Sequence, residues 1–99
     1  MIFRCVFVKL SDELCTPEGR RDFTSKSQAA LAAIPGVISA ECGPAADPDS
    51  EAAWDLVLTV RFADMGAVEH YATHPLHLAY LEEVMKPAAV FKKAWNFEL

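Results

Sequence analysis

The chain has 99 residues, 53% of them hydrophobic, with a net charge of −5 and a sequence pI near 5.0. That length fits one domain, residues 1–99, and the acidity argues against nucleic acid and anionic membranes as partners, since both reward a basic face. No basic-then-apolar signal start and no apolar run near 18 residues is present, and the cysteines, Cys5, Cys15 and Cys42, form no C-x-x-C pair, so reduced thiols in a cytoplasmic setting are expected.

Ile2 to Leu10 reads as a strand, β-branched and aromatic on both parities. Ile2, Arg4, Val6, Val8 and Leu10 share one face and Phe3, Cys5, Phe7 and Lys9 the other, so both faces call for cover. Thr16 can cap a helix that begins at Pro17, with Glu18 near its positive end. Phe23, Ala30, Leu31 and Ile34 carry the helical spacing until Pro35-Gly36 stops it. Val37 to Cys42 reads as a second strand, and Gly43 to Ser50 as a proline-broken loop without chemistry. Ala53 to Phe62 is a third strand, with Trp54, Leu56, Leu58, Val60 and Phe62 on one face and Asp55, Val57, Thr59 and Arg61 on the other.

Asp64 can cap a short helix that turns Met65, Val68 and Tyr71 inward. A break at His74-Pro75 follows, because proline disfavours the helical conformation in the preceding residue and is welcome at a first helical position. A second helix then carries His77, Tyr80, Leu81 and Val84 until Pro87 ends it. Val90 to Phe97 closes the chain as a strand. Phe91, Lys93, Trp95 and Phe97 lie on one side of it, and Val90, Lys92, Ala94 and Asn96 on the other.

The order strand, helix, strand, strand, broken helix, strand is the split βαβ pattern of a ferredoxin-like α+β domain with a four-stranded antiparallel sheet. Right-handed crossovers place both helical layers on one side of that sheet. The other side, with Phe3, Cys5, Phe7 and Val57, has no cover from its own chain. Covering even 400 Å² of it offers roughly 10 kcal/mol before association costs, so a homodimer with the sheets face to face is expected.

The stretch from Tyr71 to Tyr80 holds both tyrosines and two of the three histidines. His77 falls in the first turn after Pro75, where orphan amides and the positive dipole end favour a neutral imidazole. A neutral imidazole can serve as a general base, and a tyrosine hydroxyl can steady developing negative charge. The plainer reading has both histidines satisfying backbone groups around a helix kink. A metal reading, with His70, His74 and His77 beside Glu69, needs one continuous helix, which Pro75 interrupts; no metal site is assigned.

The opening strand ending Val6-Phe7-Val8-Lys9, the Ile34-Pro35-Gly36-Val37 turn, the run Leu56 to Phe62, and above all Tyr71-x-x-His74-Pro75-x-His77 resemble the stress-responsive A/B barrel (Dabb) family. The resemblance spans nearly the whole chain. It implies a ferredoxin-like protomer paired with its twin into a dimeric α/β barrel, and a pocket between sheet and helices for a small apolar or aromatic ligand. Most members have no assigned activity. Plant polyketide cyclases of the family perform an aldol condensation without a cofactor, so none is expected here. The resemblance gives His77 the part of base and Tyr71 that of phenolic partner, with Arg4, His74 and Tyr80 as candidate ligand-binding residues. Where the family commonly carries a first-strand histidine this chain has Arg4, which cannot accept a proton; it suits a carboxylate or enolate oxygen, or a salt bridge to an acidic residue of the chain. A cofactor-free oxygenase belongs to the same superfamily, but no residue pattern favours it. The other function is non-enzymatic: a stress-related dimer whose histidines are scaffolding.

Overall fold

The computed structural model describes residues 1–99. Its elements run β1 (Ile2–Leu10), α1 (Pro17–Ala32), β2 (Ser39–Pro44), α2 (Pro48–Ala53), β3 (Leu56–Phe62), α3 (Met65–Thr73), α4 (Pro75–Tyr80), a π-helical turn (Leu81–Met85), α5 (Lys86–Ala88) and β4 (Ala89–Glu98). The strands form one antiparallel sheet in the order β2-β3-β1-β4, the α+β ferredoxin-like topology expected. No helix is long and apolar enough to cross a membrane.

Alternation decides which side of the sheet is sealed. Ile2, Val6 and Val8 of β1 and Leu56, Leu58, Val60 and Phe62 of β3 are buried in one cluster with Phe23 and Leu31 of α1, Val68 and Tyr71 of α3 and Tyr80 of α4. On the opposite side β1 pairs Phe3 with Phe97, Cys5 with Trp95 and Phe7 with Lys93. There Phe91, Trp95 and Phe97 are each more than half exposed. Trp54 stacks between Phe7 and Phe91, with ring centroids 5.7 and 5.9 Å away.

Three helix starts follow one rule: a side-chain acceptor followed by proline. Thr16 accepts from the Gly19 amide before Pro17, and Asp47 accepts from the Ser50 amide before Pro48. His74 accepts from the Leu76 amide before Pro75. Asp47-Pro48 therefore starts a helix inside the segment expected to be a loop. That helix displaces the start of β3 to Leu56, so Trp54 leaves the inner face assigned to it and turns to the open one. β2 also begins later than expected. Gly36, at φ 92°, reverses the chain, and strand pairing starts only where Ser39 meets Arg61.

Pro87 does not end the last helix, which runs to Ala88. Proline lacks an amide hydrogen and its ring crowds the carbonyl four residues back. The preceding turn widens instead, and the Lys86 amide bonds to the Leu81 carbonyl five residues away.

Asp55, fully buried, ties the strand ends to the helical layer. It accepts from the Leu10 amide at 2.8 Å, from Cys15 Sγ at 3.1 Å, and from Arg20 Nε and Nη2 at 3.2 and 3.1 Å. Burial by itself pushes this carboxyl up, but the bonds from Cys15, Leu10 and Arg20 and the Lys9 charge outweigh it, holding the pKa below the ordinary carboxylate value. Removing the acceptor strands the buried Leu10 amide and leaves the partly buried Arg20 with only the exposed Glu51 as a counter-ion. Asp55→Ala is therefore expected to cost about 3–5 kcal/mol, read as a lowered urea midpoint. In the native protein the contribution is complete above the unfolded pKa near 3.9 and is lost as pH falls through the lower native value. A loss under about 1 kcal/mol, the range of an exposed pair, would show that the cluster ties nothing together.

Candidate functional site

Between the helices and the sheet, on the β4 side, lies a cavity of about 150 Å³. Val6, Leu31, Leu58 and Met85 give it an apolar floor, and Arg4, Tyr71, His77, Tyr80 and Lys92 bring polar groups to it. It opens along β4, where Lys92 and Ala94 line it and are exposed. A 150 Å³ apolar cavity holds a body the size of benzene.

The helix break sets the Tyr71–His77 geometry. Tyr71 sits near the end of α3 and His77 in the first turn of α4, and the bend at His74-Pro75 brings their ring centroids to 4.2 Å. Phe62 of β3 meets Tyr71 edge-on at 4.9 Å and fixes its ring. His77 Nδ1 lies 3.0 Å from the Ala72 carbonyl oxygen. A carbonyl only accepts, so Nδ1 carries the hydrogen and the neutral ring keeps its lone pair on Nε2. Burial lowers the His77 pKa, the Ala72 bond opposes that, and the nearby charges of Arg4 and Lys92 lower it further. Burial without a hydrogen bond raises the Tyr71 phenol to about 12, although Arg4 pulls the other way.

Of the residues expected to form the site, Arg4, Tyr71, His77 and Tyr80 line this cavity, and His74 does not. His74 Nδ1 is occupied as the α4 cap, 3.1 Å from the Leu76 amide, and its ring rests against His70 at 5.8 Å. With His77 turned toward the sheet and His74 held at the cap, the histidines do not converge. Tyr80 contributes its ring, while its hydroxyl bonds Ser27 Oγ of α1 at 2.7 Å and is pushed far up by burial.

Arg4 makes no salt bridge, contrary to one of the readings offered for it. Its Nη1 donates to Asn96 Oδ1 at 3.0 Å, and its Nε is buried without a partner. Lys92, whose pKa is lowered first by burial and then by Arg4, likewise has no carboxylate beside it. Lys92 and Asn96 were the residues missed. Their signal was parity, since both fall on the helix-facing register of β4, where an apolar residue would ordinarily sit.

These features define a class: a ferredoxin-like α+β protein with a small, polar-rimmed cavity between its helices and its sheet. The chain belongs to the stress responsive A/B barrel domain (Dabb) family, whose model matches residues 2–91. Among solved structures it is similar to a Dabb family protein of ferredoxin-like fold from Mesorhizobium loti, at 23% identity and a TM-score of 0.81 over 99% of this chain and 95% of that one. A dimeric ferredoxin-like protein of unknown function from Thermobifida fusca matches at 21% and 0.77, over 99% of this chain and 90% of the other. The hydroxynitrile lyase from Passiflora edulis matches at 14% and 0.79, over 99% and 92%. No curated protein sequence matches the chain significantly.

Since burial and neighbouring cations both disfavour the imidazolium, an NMR titration should find His77 half-protonated below the ordinary value of about 6.5. The unfolded chain then takes up this proton first. The contribution to stability is complete above about pH 6.5 and is lost as pH falls through the native value. His77→Gln should remove that part of the acid sensitivity. A midpoint at or above 6.5 would mean that the ring is solvated or paired with an anion.

Proposed function

We propose that the protein is a homodimer, paired through the open face of its sheet, whose cavity abstracts a proton next to the carbonyl of a small apolar or aromatic compound without a cofactor. The observation that carries this reading is the His77–Tyr71 pair: an imidazole with Nδ1 committed to a backbone carbonyl and Nε2 free, 4.2 Å from a phenol ring that lines the same cavity. In this scheme Nε2 takes the carbon-bound proton, the electron pair moves onto the carbonyl oxygen, and the Tyr71 hydroxyl donates to that oxygen. The enolate then attacks a second carbonyl, as in an aldol cyclisation, or expels a leaving group, as in a lyase. The imidazolium returns its proton to the oxygen or leaving group that becomes anionic. The Passiflora edulis hydroxynitrile lyase is a neighbour of the same fold, and the family resemblance supports the same two roles.

Dimerisation rests on the exposed aromatics of β4 and on the dimeric description of the Thermobifida fusca neighbour. Bulk is uneven across the open face. Phe91, Trp95 and Phe97 crowd the β4 edge, while Ser39, Glu41 and Gly43 leave the β2 edge low. A two-fold pairing that lays β4 of one copy over β2 of the other fills the space between the sheets. The free thiols of Cys5, Cys15 and Cys42 suit a reducing compartment such as the cytoplasm.

The cap made by His74 and the bond from His77 to Ala72 also serve the helix break, so a stress-related dimer with a structural His/Tyr cluster is the second reading. The two separate on cyclohexanone in deuterium oxide, a benzene-sized ketone whose α-proton exchange is visible by NMR. The catalytic reading expects acceleration by the protein, a loss of at least about 100-fold in His77→Ala, and a loss of about 100-fold in Tyr71→Phe. No acceleration, with melting temperatures falling sharply in the His77 and His74 variants, would leave only scaffolding. Light scattering should give a dimer at micromolar concentration and a monomer for Trp95→Glu; a wild-type monomer would end the pairing proposal.

A further inference from the structure

The cavity is apolar over most of its wall yet carries two cations that the chain leaves without a counter-ion. Arg4 projects from β1 and Lys92 from β4 onto the helix-covered side of the sheet; Arg4 is paired with Asn96 and Lys92 with Val8, and the Val6–Ala94 pair lies between them. The chain has 14 acidic residues against nine basic ones, and none of the acids pairs with either cation. Arg20 shows the contrast: it is partnered by both Asp55 and Glu51.

The guanidinium is also directional. Asn96 occupies Nη1, so the edge formed by Nε and Nη2 has no acceptor in this chain, and Nε is cut off from water as well. That edge carries two parallel N–H groups, which match both oxygens of a carboxylate once the Arg4 side chain shifts enough to open Nε to the cavity. A buried donor left unsatisfied carries a standing cost, which an arriving acceptor removes. Lys92 is exposed at the mouth of the same cavity, and its long side chain can bring a second positive charge toward an anion held there. Asn96 supplies an uncharged acceptor; an acid in its place would consume the guanidinium.

We propose that the cavity is a carboxylate receptor, in which Arg4 binds the carboxylate of a single-ring-sized ligand, Lys92 closes over it at the mouth, and Asn96 is the positioning residue that orients Arg4. This rests on reading the cavity as a ligand site and narrows its ligand to a small acid with an apolar or aromatic body. The acid end sits on the β4 side, leaving the body against Leu31, Leu58 and Met85 and within reach of His77 and Tyr71.

Benzoate tests the anion site alone, because it has no carbon-bound proton next to its carboxyl carbon for a base to remove. Its failure is therefore separate from a failure of the ketone exchange. Calorimetry on the wild-type protein should show benzoate binding at least roughly tenfold more tightly than the neutral isostere benzamide, as the loss of a charge-assisted pair implies. Asn96→Asp, an exposed edge-strand change that should leave folding intact, gives Arg4 a carboxylate of its own and should weaken benzoate at least roughly tenfold while leaving benzamide unchanged. Arg4→Met should abolish the preference for the acid. Equal binding of benzoate and benzamide, no benzoate binding at millimolar concentration, or an undiminished affinity in Asn96→Asp would each overturn the proposal.

Discussion

A four-stranded sheet whose own helices reach only one side governs the rest of this molecule. On β1 and β3 the even positions other than Arg4 are apolar and sealed, from Ile2 and Val8 to Leu58 and Phe62, and this sealed side supplies most of the core. The odd positions carry Phe3, Phe7 and Val57, which no helix covers and which neighbouring side chains of the open face leave half-buried. The helical layer is also not wide enough for the whole inner face. It stops short of β4, where Lys92, Ala94 and Asn96 are exposed although they share the inner register. The cavity lies along that margin, open at β4 and covered enough to perturb the groups that line it.

The kink between α3 and α4 turns this margin into a chemical site. A helix that continued through residue 74 would carry Tyr71 and His77 round with the ordinary helical period. Pro75 forces His74 into an extended conformation, with ψ 138°, and restarts the helix. His77 then reaches back to the Ala72 carbonyl and its ring meets Tyr71. Ten residues after His77, Pro87 opens the π turn from which Leu81 and Met85 line the same cavity. Two prolines thus shape the pocket from opposite ends of one helical run, Pro75 by barring the helical conformation to the residue before it and Pro87 by its missing amide hydrogen and crowding ring.

The fold was legible because its signals were periodic. Alternation in β1 and in Leu56 to Phe62 fixed the sealed face, and Thr16-Pro17 and Asp64 marked helix starts where capping bonds in fact form. Asp47-Pro48 carries the same grammar, yet the glycine and prolines around it masked a six-residue helix with no buried residue and hence no hydrophobic period. The capping role of His74 was hidden differently. Histidine is an uncommon cap, and only the three-dimensional bond to the Leu76 amide shows its Nδ1 standing where Thr16 and Asp47 place oxygens. Arg4, Tyr71, His77 and Tyr80 were found because their spacing and faces determine where they point. Lys92 and Asn96 come from a strand distant in sequence, and only the β1–β4 register sets Asn96 opposite Arg4 and Lys92 opposite Val8, on the same face of the sheet.

Arg20 and Arg4, both partly buried, show how the same side chain serves scaffold and site. Arg20 meets Asp55, Glu51 and the Cys15 sulfur, so its charge is balanced and its donors are used. It locks the chain ends of β1 and β3 to α1 and has little left to offer a ligand. Arg4 stands where the chain provides a neutral amide and nothing more, among groups whose proton affinities its charge already biases: it lowers those of His77, Tyr71 and Lys92. An arginine there cannot accept a proton; its charge disfavours the imidazolium of His77 and eases ionisation of the Tyr71 phenol. Its part in the cavity is electrostatic, a field that favours negative over positive charge on the groups around it.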